Sequence, residues 1–78
     1  MRMMVRKDLL IEKLIEKLQD ANPIIRRNAA GALRLNGARA LLALPALTNL
    51  LGDEDSRVRN EAIQAVNHLR SLRPRVAA

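Results

Sequence analysis

The chain matches itself when one copy of the sequence is offset by 33 residues. Identical pairs at this offset include Leu14 with Leu47, Leu18 with Leu51, Asp20 with Asp53, Arg26 with Arg59, Ala29 with Ala62, and Ala32 with Ala65. Conservative apolar pairs fall between them. A period in this range is typical of stacked two-helix units, in which equivalent apolar residues face a common core. We therefore predict an all-α fold made of two stacked helix-turn-helix repeats, about four helices in total.

The whole chain, residues 1–78, is predicted to form a single domain. The first repeat covers about residues 6–36, the second about 38–72, and a basic tail occupies 73–78. A chain of 78 residues buries only about 60% of the surface that its unfolded form exposes. Because it contains no Phe, Trp or Tyr, the core must be built from Leu, Ile, Val and Ala. We expect a thin aliphatic core.

In the first repeat, residues 6–19 are predicted to form an amphipathic helix, because apolar residues recur at helical spacing. A second helix is predicted to begin at Pro23 and to end near Leu35. Asn22 supplies a capping acceptor, and the proline ring suits the first helical position. Gly37 follows the helix and can adopt the left-handed conformation that closes it.

In the second repeat, a third helix is predicted at about 38–51. Pro45 lies too deep in this segment for a first-turn proline, so we expect either a kink there or a late helix start near Leu44. By the repeat alignment, Asp55 occupies the capping position of the fourth helix, which is predicted at 56–72. Acidic residues before this helix would also meet its positive end.

The absence of cysteine excludes a disulfide framework, a thiolate metal site and a cysteine nucleophile. We expect a cytoplasmic location, since no secretory signal is visible. The longest apolar run, 40–47, is too short to cross a bilayer, so no membrane insertion is expected. His68 has no partner set for acid–base catalysis, and we predict no enzymatic activity, no metal and no cofactor.

The segment 43–66 resembles a HEAT repeat, in particular the short bacterial form found in phycobilisome lyase subunits. The resemblance rests on a leucine-rich first helix, the acidic turn 53–55, the pair Val58-Arg59 and small residues at 62 and 65. Members of that family are mostly protein-binding scaffolds, some relatives bind DNA, and others belong to lyase complexes. The resemblance therefore implies a scaffold, with a non-catalytic role in a lyase-like complex as a further alternative.

Two residue types recur in the turns of both repeats. The resemblance implies that Asp20, Arg26, Asp53 and Arg59 form a ladder of hydrogen bonds that ties neighbouring repeats together. A carboxylate paired with a planar guanidinium would give the stack a geometric definition that a thin apolar core lacks.

A candidate binding surface lies on the second helix of each repeat. The positions between the core stripe and solvent share one helical ridge per repeat, because they are three or four residues apart. They are Arg27, Gly31 and Arg34 in the first repeat and Asn60, Gln64 and Asn67 in the second. The resemblance implies that these ridges line a concave face, where they would bind another protein through an acidic or helical surface. The alternative is that they are ordinary solvated positions.

The net charge of +6 leaves an anionic partner open, although a basic surface also serves solubility. Nucleic-acid binding is the second hypothesis, with Arg27, Arg34 and the arginines near the C-terminus as phosphate contacts. The lack of an aromatic stacking platform counts against it. Because two repeats are fewer than the usual three and lack polar capping helices, we also expect a homodimer or docking onto a larger helical protein.

Overall fold

The structure is a computed structural model of the chain, and it describes residues 8–73. Predictions for residues 6, 7 and the tail beyond 73 lie outside the described residues. The described part contains helices and no strand: α1 (Leu9–Lys17), α2 (Pro23–Asn36), a 3₁₀ helix (Gly37–Ala43), α3 (Leu44–Asn49), a second 3₁₀ turn (Leu50–Gly52) and α4 (Ser56–Ser71). The all-α prediction is confirmed.

The first repeat begins with a capped helix. The Asp8 carboxylate accepts a hydrogen bond from the Ile11 amide at 3.3 Å, and α1 starts at Leu9. Asn22 caps α2 in the same manner, accepting from the Ile24 amide at 2.9 Å with Pro23 in the first turn. The start signal read from the sequence is confirmed.

A positive φ of 62° at Gly37 ends α2. This φ is the only positive one among residues 8–73, and a side chain at this position would be strained. The chain then tightens into a 3₁₀ helix before α3 begins at Leu44, so Pro45 lies in the first turn of α3. Of the two alternatives for Pro45, the late start near Leu44 is confirmed. The α-helix predicted at 38–51 is shorter than expected, because the segments on both sides of Leu44–Asn49 adopt 3₁₀ geometry. A missing amide on Pro45 has no consequence there, because the first amides of a helix lack helical partners.

The fourth helix begins after Asp55, whose carboxylate accepts from the Arg57 amide at 2.8 Å. The sequence predicted this cap from the repeat alignment. The helix runs to Ser71, one residue short of the predicted end.

The two second helices, α2 and α4, lie against each other and make the most extensive contact between helices of the described residues. Helix α1 packs on α2, and α3 packs on α4. The core between them is aliphatic, as expected, and its largest fully buried side chains are Ile11, Leu18, Leu33, Leu47, Val58 and Leu69. Alanines at 29, 30, 40, 43, 62 and 65 bring the helices close together. No helix within 8–73 is long and apolar enough to cross a membrane.

One ion pair connects the repeats at the edge of the stack. The Arg39 guanidinium donates two hydrogen bonds of 3.0 Å to the Asp8 carboxylate, which is also the cap of α1. The start of the first repeat is thereby held to the 3₁₀ helix of the second. These side chains are 57% and 37% exposed, so the pair is worth little energetically.

Candidate functional site

The candidate site is the surface that α2 and α4 share on the solvent side of their contact. We call it the second-helix ridge, and it comprises the six positions named from the sequence: Arg27, Gly31 and Arg34 on α2 and Asn60, Gln64 and Asn67 on α4. The three α2 residues are half-buried, and the three α4 residues are exposed. Side-chain amides therefore form the most accessible part of the ridge, and they both donate and accept hydrogen bonds.

A carboxylate that the sequence analysis missed lies within this surface. Glu61 of α4 accepts a hydrogen bond from Arg34 Nε at 2.9 Å, with the two side chains 32% and 20% exposed. The same carboxylate lies beside Gly31, where an added Cβ would be 3.4 Å from Glu61 Oε2. Glu61 of the second repeat thus lies against both Gly31 and Arg34 of the first repeat.

Glu61 changes the electrostatics of the ridge. Two arginines and one glutamate give a local net charge of +1 instead of +2. The position corresponding to Glu61 in the first repeat is Asn28, which is uncharged, so repeat equivalence gave no sign of a carboxylate. The remaining arginine, Arg27, donates from Nε and Nη2 to Asn28 Oδ1 at 3.3 and 3.1 Å on its own helix. Arg27 is therefore the ridge cation that no carboxylate within 8–73 neutralises.

Arg26, in the first turn of α2, joins the turns of the two repeats. Its Nε and Nη2 donate to Asp53 Oδ2 and Oδ1 at 2.9 and 3.0 Å, a bidentate pair across the repeats. Its Nη1 donates to the carbonyl oxygens of Asp20 at 2.7 Å and Ala21 at 3.1 Å. Arg26 is 8% exposed, and all three of its nitrogens have acceptors. One side chain thus connects both turns.

The other two residues of the proposed ladder act within their own repeats in the described structure. Asp20 Oδ1 accepts from the Asn22 amide at 2.8 Å, just as Asp53 Oδ1 accepts from the Asp55 amide at 2.9 Å. Arg59 Nη1 donates to the Asp53 carbonyl at 2.7 Å, which repeats the contact of Arg26 with Asp20. The two turns therefore have the same internal geometry, and the cross-repeat pair is Arg26 with Asp53.

These contacts shift the pKa values of the turn residues. The hydrogen bond from Arg26 lowers the pKa of Asp53, against the opposing effect of burial, and the same bond raises the pKa of Arg26. The hydrogen bond from the Arg57 side chain lowers the pKa of Asp55. Both carboxylates are ionised at neutral pH and are engaged in the turn and the helix cap. The contacts of Asp53 and Asp55 are therefore those of residues that stabilise the turn and the start of α4.

A second feature of the surface lies at the C-terminal end of α4. A surface pocket of about 340 Å³ opens between α3 and the end of α4, lined by Leu44, Pro45, Thr48, Arg70 and Arg73. Two guanidinium groups border it, so it is the place in the described structure where arginines near the C-terminus converge. Residues 8–73 contain no group of three His, Cys, Asp or Glu side chains arranged to hold a metal ion.

The sequence is similar to one known protein family. The sequence model of HEAT repeats matches residues 11–78, which is most of the chain. This chain belongs to the HEAT-repeat family. HEAT repeats generally serve as scaffolds for protein interactions, and the family is typically non-catalytic. The match does not reach the narrower resemblance to phycobilisome lyase subunits, which stays a prediction. No curated protein and no solved structure matches this HEAT-repeat chain.

Proposed function

We propose that this HEAT-repeat chain is a protein-interaction module that binds a segment of another protein along the second-helix ridge. The observations that carry the proposal are the row of exposed amides on α4, at Asn60, Gln64 and Asn67, and the uncompensated cation Arg27 on the neighbouring helix α2. Amide groups can pair with both the N–H and the C=O groups of a peptide backbone. Arg27 would add a charge-assisted contact with an acidic side chain.

The ion pair of Arg34 with Glu61 limits what this partner can be. A strongly acidic partner would have to approach Glu61 as well, and like charges across an interface are unfavourable. The ridge therefore suits a segment whose acidic residue lies at the Arg27 end and whose remainder offers backbone or neutral polar groups. Gly31 has no side chain of its own, so a bound segment could approach the α2 backbone there as closely as the neighbouring Glu61 side chain allows.

The test is an NMR titration of the ¹⁵N-labelled chain with a defined probe, a ten-residue peptide with blocked termini that carries one Glu near one end and Ala and Gln at its other positions. We expect chemical-shift changes at Arg27, Asn60 and Gln64, and Arg27→Glu should weaken binding by about tenfold or more. The matched control is Lys13→Glu, which makes the same charge change at an exposed position on α1.

Two outcomes of this titration would contradict the proposal. If Lys13→Glu weakens binding as much as Arg27→Glu, the peptide responds only to net charge. If the shift changes fall on α1 and α3, the ridge is not the binding surface. We chose Arg27 for the substitution because Arg34→Glu would place a second carboxylate beside Glu61 and disturb the fold at the same time.

A second candidate function, nucleic-acid binding, is favoured by the net charge of +6 and by the pocket that Arg70 and Arg73 border. Phosphate contacts would make the affinity fall steeply with salt. Fluorescence polarisation with labelled DNA and RNA at low and high salt distinguishes the two candidates. Arg70→Glu together with Arg73→Glu should abolish such binding if it occurs, whereas Arg27→Glu should abolish the binding of the peptide.

A further inference from the structure

Equivalent residues of the two repeats differ in burial where one repeat covers the other. Leu18 of the first repeat is 1% exposed, whereas its equivalent Leu51 is 37% exposed. Ala30 is fully buried, whereas its equivalent Ile63 on α4 is 45% exposed. Arg59, the equivalent of Arg26, lies along this same side of α4, since it is four residues before Ile63. We call Leu51, Arg59 and Ile63 the outer face of repeat two.

The opposite end of the stack shows the converse difference. Ala43 of the second repeat is fully buried, whereas its equivalent Leu10 is 50% exposed. Val58 is fully buried, whereas its equivalent Ile25 is half-buried. We call Leu10, Asp20 and Ile25 the outer face of repeat one. Asp20 makes the same turn contact as Asp53, so its carboxylate is oriented as Asp53 is when it receives Arg26.

The two outer faces are complementary to each other. The outer face of repeat two has an arginine and two apolar side chains at the positions that the first repeat uses to bind the second. The outer face of repeat one has the matching aspartate and two apolar side chains. We propose that a second copy of this chain stacks head to tail on the first, with Arg59 of one copy paired to Asp20 of the next.

A second copy is the occupant for two reasons. Both halves of the contact are present on one chain, and their charges are opposite, as they are in the internal pair of Arg26 and Asp53. The contact is also heterologous, so each added copy presents the same outer faces again and the assembly grows instead of closing as a dimer. Ile63 and Leu10 are larger than Ala30 and Ala43, so the copies would stack with wider spacing than the internal repeats. This inference uses a different surface from the second-helix ridge and is independent of its function.

The first test is analytical ultracentrifugation across a concentration series of the whole chain. We expect the average mass of the wild type to rise past that of a dimer without a plateau. Ile63→Glu should remain at the mass of one chain, 8.7 kDa, at concentrations where the wild type associates. The matched control is Leu42→Glu, because Leu42 and its equivalent Leu9 are both exposed, at 74% and 66%, and stacking covers neither. Leu42→Glu should associate as the wild type does.

The second test blocks one end at a time. Arg59→Asp leaves the outer face of repeat one intact, and Leu10→Asp leaves the outer face of repeat two intact. Both substitutions introduce an acidic group, so the two blocked faces cannot pair with each other. Each variant alone should be monomeric, and an equimolar mixture should form dimers and nothing larger. Far-ultraviolet circular dichroism checks that each variant keeps the helical content of the wild type. If either fails this check, Ile63→Glu and Leu42→Glu decide the question.

Three results would overturn the proposal: a wild type that is monomeric throughout the series, a mass that levels off at twice that of the chain, or association that Ile63→Glu leaves unchanged. The last result would indicate that another surface mediates association. A mixture of two well-folded blocked variants that stays monomeric would also contradict the pairing of Arg59 with Asp20.

Discussion

Arg26 binds Asp53, 27 residues further along the chain, through two parallel hydrogen bonds of 2.9 and 3.0 Å. Because Arg26 also donates to the Asp20 carbonyl, it fixes the turn of its own repeat and the turn of the next repeat together. The core of the described residues is made of aliphatic side chains, Leu, Ile, Val and Ala, which lack the directional contacts of polar groups. The bidentate pair gives the two repeats a defined register that such a core specifies less strictly.

The first prediction compares the two equivalent arginines. Arg26→Lys should lower the Tm by roughly 5–10 °C, because an ammonium cannot reproduce the bidentate pair and the carbonyl contacts at once. Arg59→Lys should have a small effect, since in the described structure Arg59 donates one hydrogen bond, to the Asp53 carbonyl. Thermal unfolding followed by circular dichroism measures both. Equal losses would contradict the role assigned to the cross-repeat pair.

The second prediction concerns acid. Hydrogen bonds from Arg26 and Arg57 lower the pKa values of Asp53 and Asp55 below the ordinary value of 3.8. A group whose pKa is lower in the folded state than in the unfolded state stabilises the fold at pH values above its unfolded pKa. This stabilisation is lost as the pH falls through the folded pKa. The Tm should therefore be steady near neutral pH and fall from about pH 4 downward. Asp53→Asn should start with a lower Tm and show a shallower acid loss. A wild-type Tm that does not change down to about pH 2 would contradict this.

The third prediction uses two glycines with different geometry. Gly31→Ala should stabilise the chain by about 0.5–1 kcal/mol, because an alanine in a helix interior loses less backbone entropy on folding. The new Cβ would meet the Glu61 side chain at 3.4 Å or more, which is the distance of an ordinary van der Waals contact. Gly37→Ala should destabilise by about 1 kcal/mol or more, since the φ of 62° strains any side chain. Urea unfolding measures both variants, and a destabilising Gly31→Ala would show that the contact with Glu61 is rigid.

The same substitution also probes the ridge. If a partner segment approaches Gly31 closely, Gly31→Ala should weaken binding of the peptide probe while it stabilises the free chain. A variant that is both more stable and equally able to bind would show that the ligand does not contact this part of the ridge.

The fourth prediction concerns Arg34 and Glu61. Arg34→Glu should destabilise the chain, because it places two carboxylates together, and adding Glu61→Arg should recover most of the loss. The double-mutant cycle should give a coupling of about 0.2–1 kcal/mol, as is usual for ion pairs with partial solvent access. Zero coupling in low salt would show that the ion pair does not contribute to holding the repeats together.

Most of the fold was predictable because the signals were local or repeated. Pro45 left two alternatives for α3, a kink or a late start near Leu44, since a proline is favoured only in the first turn of a helix, and the structure has the late start. Asp55 was identified as a helix cap because it aligns with Asn22, which is followed by proline. The core followed from apolar positions recurring at the repeat period.

The parts that the sequence did not reveal depend on contacts between positions that are not equivalent. Glu61 was not predicted as part of the site because its equivalent in the first repeat, Asn28, carries no charge. Its pairing with Arg34 depends on how α2 and α4 are placed side by side. The pair of Arg39 with Asp8 has the same cause, because Asp8 corresponds to the apolar Leu41. Comparing equivalent positions of the two repeats predicts the contacts that both repeats make. It does not predict the contacts that only one repeat makes.

The most direct test of the account is the exchange rate of the Nε–H protons of Arg26 and Arg59, measured by NMR in the Ile63→Glu background so that stacking between copies does not protect Arg59. We predict slow exchange for Arg26 and fast exchange for Arg59, with Arg26 becoming fast when Asp53→Asn is added. Equal rates for the two protons, unchanged by Asp53→Asn, would contradict the claim that one cross-repeat pair fixes the stack.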